Sequence, residues 1–252
     1  MSPKNLFQIL RLCTMTIGYS LFGLSFSLFD KDFRLFYKHG FHFAEAALRI
    51  GNITLEIEGK EHLQRGQTYV FIANHTSIFD IPAVWIAVAT TLTTRLGDES
   101  GGRLRIIYKR SLELIPFLGW ELKMSPFIPI QRERARKSMK SIHAAVEAIQ
   151  TGESVIIFPE GTRSRNGRLM EFRRGAFHLA ARAKKPIVPV AIIGAQRILQ
   201  ADSVMLQEGT IRIVLGKPVP PPEQDDRLVE RSLMKHLYAI LATMLPDEQK
   251  PL

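Results

Sequence analysis

From Asn52 onward, short apolar runs alternate with longer stretches of helical period, and this alternation restricts the chain to a layered α/β fold. Ile53, Leu55 and Ile57 mark one face of the first run. Tyr69 to Ala73, Arg105 to Tyr108, Phe127 to Ile130, Val155 to Phe158, Ile187 to Ile192 and Thr210 to Leu215 are of strand length and rich in Ile, Val and Phe. Helices are expected at Asp80 to Thr91, Arg132 to Gln150, Arg174 to Ala183 and Asp226 to Leu245. In the second of these, Ala135, Met139, Ile142, Val146 and Ile149 share a face. The pattern predicts a mixed sheet of about seven strands flanked by helices, one domain over 51–252. Thr94 to Arg103, polar and glycine-rich, reads as a surface loop, and Pro218 to Asp226 as a connector.

The first fifty residues have a different character. Leu12 to Phe29 is free of charge over eighteen residues, which as a helix would reach roughly 27 Å, barely a membrane span. Thr16, Ser20, Gly23 and Ser27 line one side with small side chains, and beyond Asp30-Lys31-Asp32 the spacing repeats in Gly40, Ala44 and Ala47. Asp32 is the expected cap of the second helix. There Arg34, Lys38, His42, Glu45 and Arg49 form a polar stripe opposite Phe33, Phe36, Tyr37, Phe41 and Phe43, the pattern of an interfacial helix. The expectation is a membrane-associated helical hairpin over 1–50, monotopic or single-spanning. More basic residues follow the apolar run than precede it, which puts the α/β domain on the cytoplasmic face of the inner (plasma) membrane. The competing expectation is that both are core helices of the globular domain.

Charge and cysteine usage narrow the chemistry. Thirty-four Lys and Arg against twenty-four Asp and Glu leave a net charge of +10, which favours an anionic partner: a phosphorylated small molecule, an acidic protein, nucleic acid or an anionic membrane. No nucleic-acid reader motif is recognisable. The single cysteine, Cys13, excludes an intramolecular disulfide framework, and the seven dispersed histidines suggest no metal cluster.

Two constellations carry reactive groups. The first is Asn74-His75-Thr76-Ser77-Ile78-Phe79-Asp80, at the expected junction of a strand and a helix. In that turn Asp80 can hold one imidazole nitrogen of His75 as N–H, leaving the other to accept a proton from a hydroxyl. Two other readings compete. Ser77-x-x-Asp80 has the form of a capping box without chemistry, and Ser77 or Thr76 could be a nucleophile with His75 as its base.

The second constellation is Val155 to Arg165 (VIIFPEGTRSR), a strand ending in a Pro/Gly turn with Glu160, Arg163 and Arg165. A carboxylate there can accept from substrate hydroxyls, and an arginine fork can hold a phosphate. Phe172-Arg173-Arg174-Gly175-Ala176 opens a helix close by, while Arg132 and Lys109 follow other strands. Cations thus recur beyond strand C-terminal ends, where open α/β sheets bind ligands.

The ordered set NHTSIFD, FIPIQR, FPEGTRSR with FRRGAF, and IVPVAI resembles the glycerolipid acyltransferases of the 1-acylglycerol-3-phosphate (lysophosphatidate) type, over Gly51 to Gly216. The resemblance implies that His75 is the general base and Asp80 its orienting partner. It implies that Arg132 and Arg163 bind the acceptor's phosphate, with Lys109 and Arg174 as further candidates. Glu160 supports the acceptor's glycerol or the turn itself, with Gly161 and Thr162 counted in the same acceptor site, and Pro189 falls in the fourth motif. Two positions depart from the pattern: Pro126 where glycine is common, and Arg173-Arg174-Gly175 where lysines are common. The implied reaction moves a fatty acyl group from acyl-CoA or acyl carrier protein to the free hydroxyl of lysophosphatidate, giving phosphatidate, with no metal or other cofactor. Another lysolipid acceptor, such as lyso-ornithine lipid, would use the same residues. A non-catalytic module binding anionic lipid remains as the alternative from a different class.

Overall fold

The structure is a computed structural model that describes residues 3–93, 103–131, 135–224 and 226–251, and for 135–138 the backbone alone. The expected loop over 94–102 and the candidate Arg132 lie outside the described residues.

All seven expected strands form one sheet: β1 (Ile53–Glu58), β2 (Val70–Ala73), β3 (Leu104–Lys109), β4 (Ile128–Ile130), β5 (Ser154–Ile157), β6 (Ile187–Ile193) and β7 (Gly209–Leu215), in the order β1-β7-β6-β2-β5-β3-β4. Every pairing is parallel except β6 with β7. Successive side chains of a strand point to opposite faces, so Tyr69, Phe71 and Ala73 enter one core while Val70 and Ile72 enter the other. The first core is covered by α2 (Arg34–Ile50) and α3 (Asp80–Leu92), the second by α5 (Ala135–Gln150), α6 (Arg174–Ala183) and α8 (Arg227–Met244). The short helices α4 (Leu118–Met124) and α7 (Ala195–Ile198) complete the set.

Helix α1 (Pro3–Ser27) is long and apolar enough to cross a membrane, with mean hydropathy 1.4 in its most apolar window. It packs along α2 and α4. Its inner side buries Asn5, Ser20 and Gly23, while Phe7, Leu10, Ile17, Leu21 and Phe22 point outward. The small-residue stripes do not face each other as expected. Ser20 donates to Glu121 Oε2 of α4 at 2.8 Å, and His39 of α2 stacks on Tyr19, whose carbonyl lies 2.9 Å from its Nε2. Gly40 instead meets α3: a Cβ there would stand 2.1 Å from Trp85 Cη2, so only glycine admits the indole.

Packing divides the first fifty residues at the α1–α2 turn. Phe36, Tyr37, Phe41, Ala47 and Leu48 of α2 are buried in the core beneath α3, while its stripe of Arg34, Lys38, His42, Glu45 and Arg49 is exposed. The cap also differs from expectation. Phe33 takes a left-handed conformation (φ 55°), which turns the chain so that Asp30, not Asp32, accepts from the N–H groups of Leu35 (3.1 Å) and Phe36 (2.7 Å).

Candidate active site

Strands β2, β5 and β3 are parallel and end on the same edge of the sheet, which is where both sequence constellations meet. β2 is prolonged by Asn74, whose amide replaces a ladder pair. Its Nδ2 donates to Ile192 O (2.9 Å) and its Oδ1 accepts from Ile192 N (2.8 Å). The chain then turns through 75–79 into α3.

In that turn His75 Nδ1 lies 2.7 Å from Asp80 Oδ2, and the imidazole stacks on Phe158 with centroids 4.2 Å apart. The same Asp80 oxygen accepts from the N–H groups of Thr76 (2.6 Å) and Ser77 (2.8 Å). An oxygen that already accepts from two backbone N–H groups serves His75 as an acceptor too, so it places the ring's proton on Nδ1 and leaves Nε2 with a lone pair. No described residue hydrogen-bonds Nε2.

The two competing readings of this turn separate on geometry. Half of a capping box is formed, since Asp80 reaches back to Ser77 N–H. The other half is diverted, because Ser77 Oγ donates to Leu199 O at 2.8 Å. Ser77 and Thr76 are also buried, at 0% and 1% exposure, which disfavours either hydroxyl as a nucleophile toward an incoming substrate.

The second turn, 158–164, clamps the first from both sides. Glu160 Oε1 accepts from His75 N–H (2.7 Å), and Ser164 N–H donates to His75 O (2.7 Å). Glu160 Oε2 accepts from Met170 N–H at 3.1 Å. Burial pushes the Glu160 carboxyl up to about 8, opposed by these two N–H donors. Both oxygens of Glu160 are thus engaged by backbone N–H groups that hold the two turns together. Gly161 follows with φ 77°, a left-handed position suited to glycine. A Cβ there would stand 2.7 Å from Arg173 Nε.

The cations fall into two groups. Arg173 donates from Nε to Glu160 O at 3.2 Å, which pins its guanidinium over Gly161. Arg174 turns to α8 instead: its Nε lies 3.3 Å from Glu230, a buried carboxylate also 2.6 Å from His178 Nδ1. The sequence pointed to Arg174; the turn holds its neighbour. Arg163 and Thr162 lie in the same turn as Glu160, and Lys109 is exposed at the end of β3. Among the described residues neither the Arg163 nor the Lys109 side chain has a hydrogen-bonded or ion-paired partner. The sequence set both arginines side by side, and only the fold shows that Arg173 is the one held at Gly161.

The acyltransferase family model matches residues 54–193. The chloroplastic 1-acyl-sn-glycerol-3-phosphate acyltransferase of Brassica napus is 33% identical over 65% of this chain and 44% of its own length. The 1-acyl-sn-glycerol-3-phosphate acyltransferase of Limnanthes douglasii is 31% identical over 81% of this chain and 67% of its own. The chain thus spans less than half of the Brassica relative. The crystal structure of the 1-acyl-sn-glycerophosphate acyltransferase of Thermotoga maritima superposes with TM-score 0.73 over 96% of this chain and 94% of that one, at 20% identity, a likeness of fold. The paired turns at the ends of β2 and β5 lie where the family model matches, and the chain belongs to the family of the 1-acylglycerol-3-phosphate acyltransferases.

Proposed function

We propose that the chain transfers a fatty acyl group from a thioester, acyl-CoA or acyl carrier protein, to the free hydroxyl of 1-acylglycerol-3-phosphate, giving phosphatidate. The observation that carries this reading is the His75–Asp80 pair: an imidazole held as the Nδ1–H tautomer with Nε2 free at the edge of the sheet. His75 Nε2 takes the hydroxyl proton as the oxygen attacks the thioester carbonyl. Asp80 stabilises the imidazolium, which returns the proton to the departing thiolate. Acceptor and donor react in one complex without an acyl-enzyme, in keeping with the buried Ser77 and Thr76.

The acceptor's phosphate is held by Arg163 and Arg173, in and against the turn that clamps His75, by Lys109 at the end of β3, and by Arg132. Arg174 serves Glu230 and keeps α6 on α8. Glu160, with Gly161 and Thr162, shapes the turn that carries His75. Helix α1 lies in the membrane interface on the cytoplasmic face of the inner (plasma) membrane, monotopic rather than spanning. Its length is tied to the domain at Asn5, whose Nδ2 donates to Leu206 O (2.7 Å), and at Ser20.

The test follows thiol release from acyl-CoA and acyl carrier protein with lysophosphatidate, wild type beside His75→Ala, with the lipid identified by mass spectrometry. Phosphatidate formed by the wild type and reduced by about 10²-fold or more in the variant is the expected result. Acylation of other lysolipids only would change the acceptor, and no transfer with any pair would leave an anionic-lipid-binding module.

A further inference from the structure

Between α7 and β7 the chain forms a compact loop, Leu199 to Gln207, closed where Gln207 N–H donates to Ile198 O at 2.8 Å. One foot of the loop stands on the rim of the site. Leu199 O accepts from Ser77 Oγ, two residues from His75. Gln200 Nε2 donates to Arg165 O (2.7 Å), and Arg165 Nε pairs with Asp202 at 2.9 Å. The other foot stands on α1. Leu206 O accepts from Asn5 Nδ2, and Lys4 Nζ lies 3.4 Å from Glu208, which also accepts from Asn52 Nδ2 at 2.8 Å.

Held at both feet, the loop nevertheless turns apolar side chains to the outside. Val204 is 64% and Met205 58% exposed, while Leu206 between the feet is buried. Ile78, next to Ser77 in the His75 turn, is half exposed. A large aliphatic side chain forgoes about 1.5–3 kcal/mol when it is left in water rather than fully buried. Scattered singly, such residues need no account. These are not scattered. Met205 shares a cleft of about 180 Å³ with Lys4, Asn5 and Gln8, so the loop tip lies against the first turns of α1, the helix whose other side exposes Phe7 and Leu10.

We propose that Val204, Met205 and Ile78 form a second membrane-contacting surface, which carries the apolar face of α1 to the mouth of the site. The partner is the interface of a bilayer containing anionic lipid. The proposal rests on the reading of α1 as an interfacial helix, with which this surface is continuous. Charge supports the choice of partner, since the whole chain carries +10. The loop works as a spacer. Through Ser77 on one side and Asn5 on the other, the depth of α1 in the interface sets the height of His75 above it.

A fluorescent probe tests this directly. With Cys13→Ser removing the native thiol, Val204→Cys is labelled with an environment-sensitive fluorophore and mixed with vesicles of phosphatidylcholine and phosphatidylglycerol carrying brominated lipid. Parallel labels stand at Phe7→Cys on α1 and at Leu228→Cys, exposed on α8 across the sheet. Quenching is expected at 204 and 7 and not at 228. The Val204→Asp, Met205→Asp pair should weaken vesicle binding by about tenfold, while transfer to a water-soluble short-chain acceptor stays within about twofold. Both side chains are exposed, so the fold is retained. Quenching at 7 without quenching at 204 would stop the membrane plane at α1 and overturn the proposal. Absence at both would remove the membrane role of α1 as well. Loss of acyl transfer in the wild type would sink the catalytic reading without moving the fluorescence.

Discussion

At the ends of β2 and β5, one oxygen of Asp80 receives three donors, and Glu160 joins N–H groups from two separate segments. Along α1, a helix of 25 residues, the buried polar ties at Asn5, Tyr19 and Ser20 are spread along its length, and its outer face leaves Phe7, Leu10, Ile17, Leu21 and Phe22 exposed. Buried polar groups are costly unless paired. At the site they are crowded so that one tautomer and one backbone path survive. On α1 they are spaced so that the helix has a fixed position but little to resist its being lifted away. The first arrangement gives precision, and the second gives a face that water does not satisfy and lipid can. Local stability should differ in the same sense.

The sharpest way to break this contrast is at Asp80. Asp80→Asn keeps the volume and an oxygen for the Thr76 and Ser77 N–H groups, but it can present an amide NH₂ to His75 Nδ1, and the imidazole then takes the opposite tautomer. Turnover, followed by thiol release, should fall by about 10²–10⁴-fold with the thermal midpoint little changed. Activity within tenfold of wild type would mean that the pair serves the turn and not the chemistry.

A smaller effect separates two adjacent arginines. Arg173→Ala removes a guanidinium fixed beside Gly161, and should raise the acceptor KM by about tenfold with kcat within about twofold, the loss of one charge-assisted contact. Arg174→Ala leaves the buried Glu230 with His178 alone, so it should lower the thermal midpoint and leave the acceptor KM near wild type. The reverse pattern in steady-state kinetics would restore Arg174 to the acceptor site.

These residues also mark what the sequence could carry. All seven strands were legible because β-runs such as Val155 to Phe158 are short, apolar and bounded by turn residues. The approach of His75 and Asp80 was legible because both lie in one turn. The partner of Glu160 was not: His75 N–H comes from a turn 85 residues away, and nothing local to Glu160 specifies it. The amphipathic pattern of α2 was legible but its partner was ambiguous, since Phe36 and Tyr37 would suit lipid or core equally well and only the sheet beneath α3 decides. Similarly, the stripe of Gly40, Ala44 and Ala47 signalled close approach without saying to what, and the answer, Trp85, sits in another helix. Helix α4 was missed: it has seven residues, too few for a period to show.

The smallest expected effect is on stability against pH, and it distinguishes the site's crowding from ordinary burial. The Glu160 carboxyl is raised from 4.5 to about 8 by burial. Between these values the folded protein keeps a proton that the unfolded chain has lost, so the contribution is complete below about 4.5 and declines as pH rises through 8. Denaturant unfolding of the wild type should therefore show stability decreasing from pH 5 toward 8 by this group's share. Glu160→Gln should flatten that slope, at a cost of about 1 kcal/mol at acidic pH, because the amide can accept from only one of the His75 and Met170 N–H groups. A slope unchanged in the variant would mean that the two N–H donors outweigh burial and hold Glu160 ionised throughout. The turn carrying His75 would then be fastened by a charge.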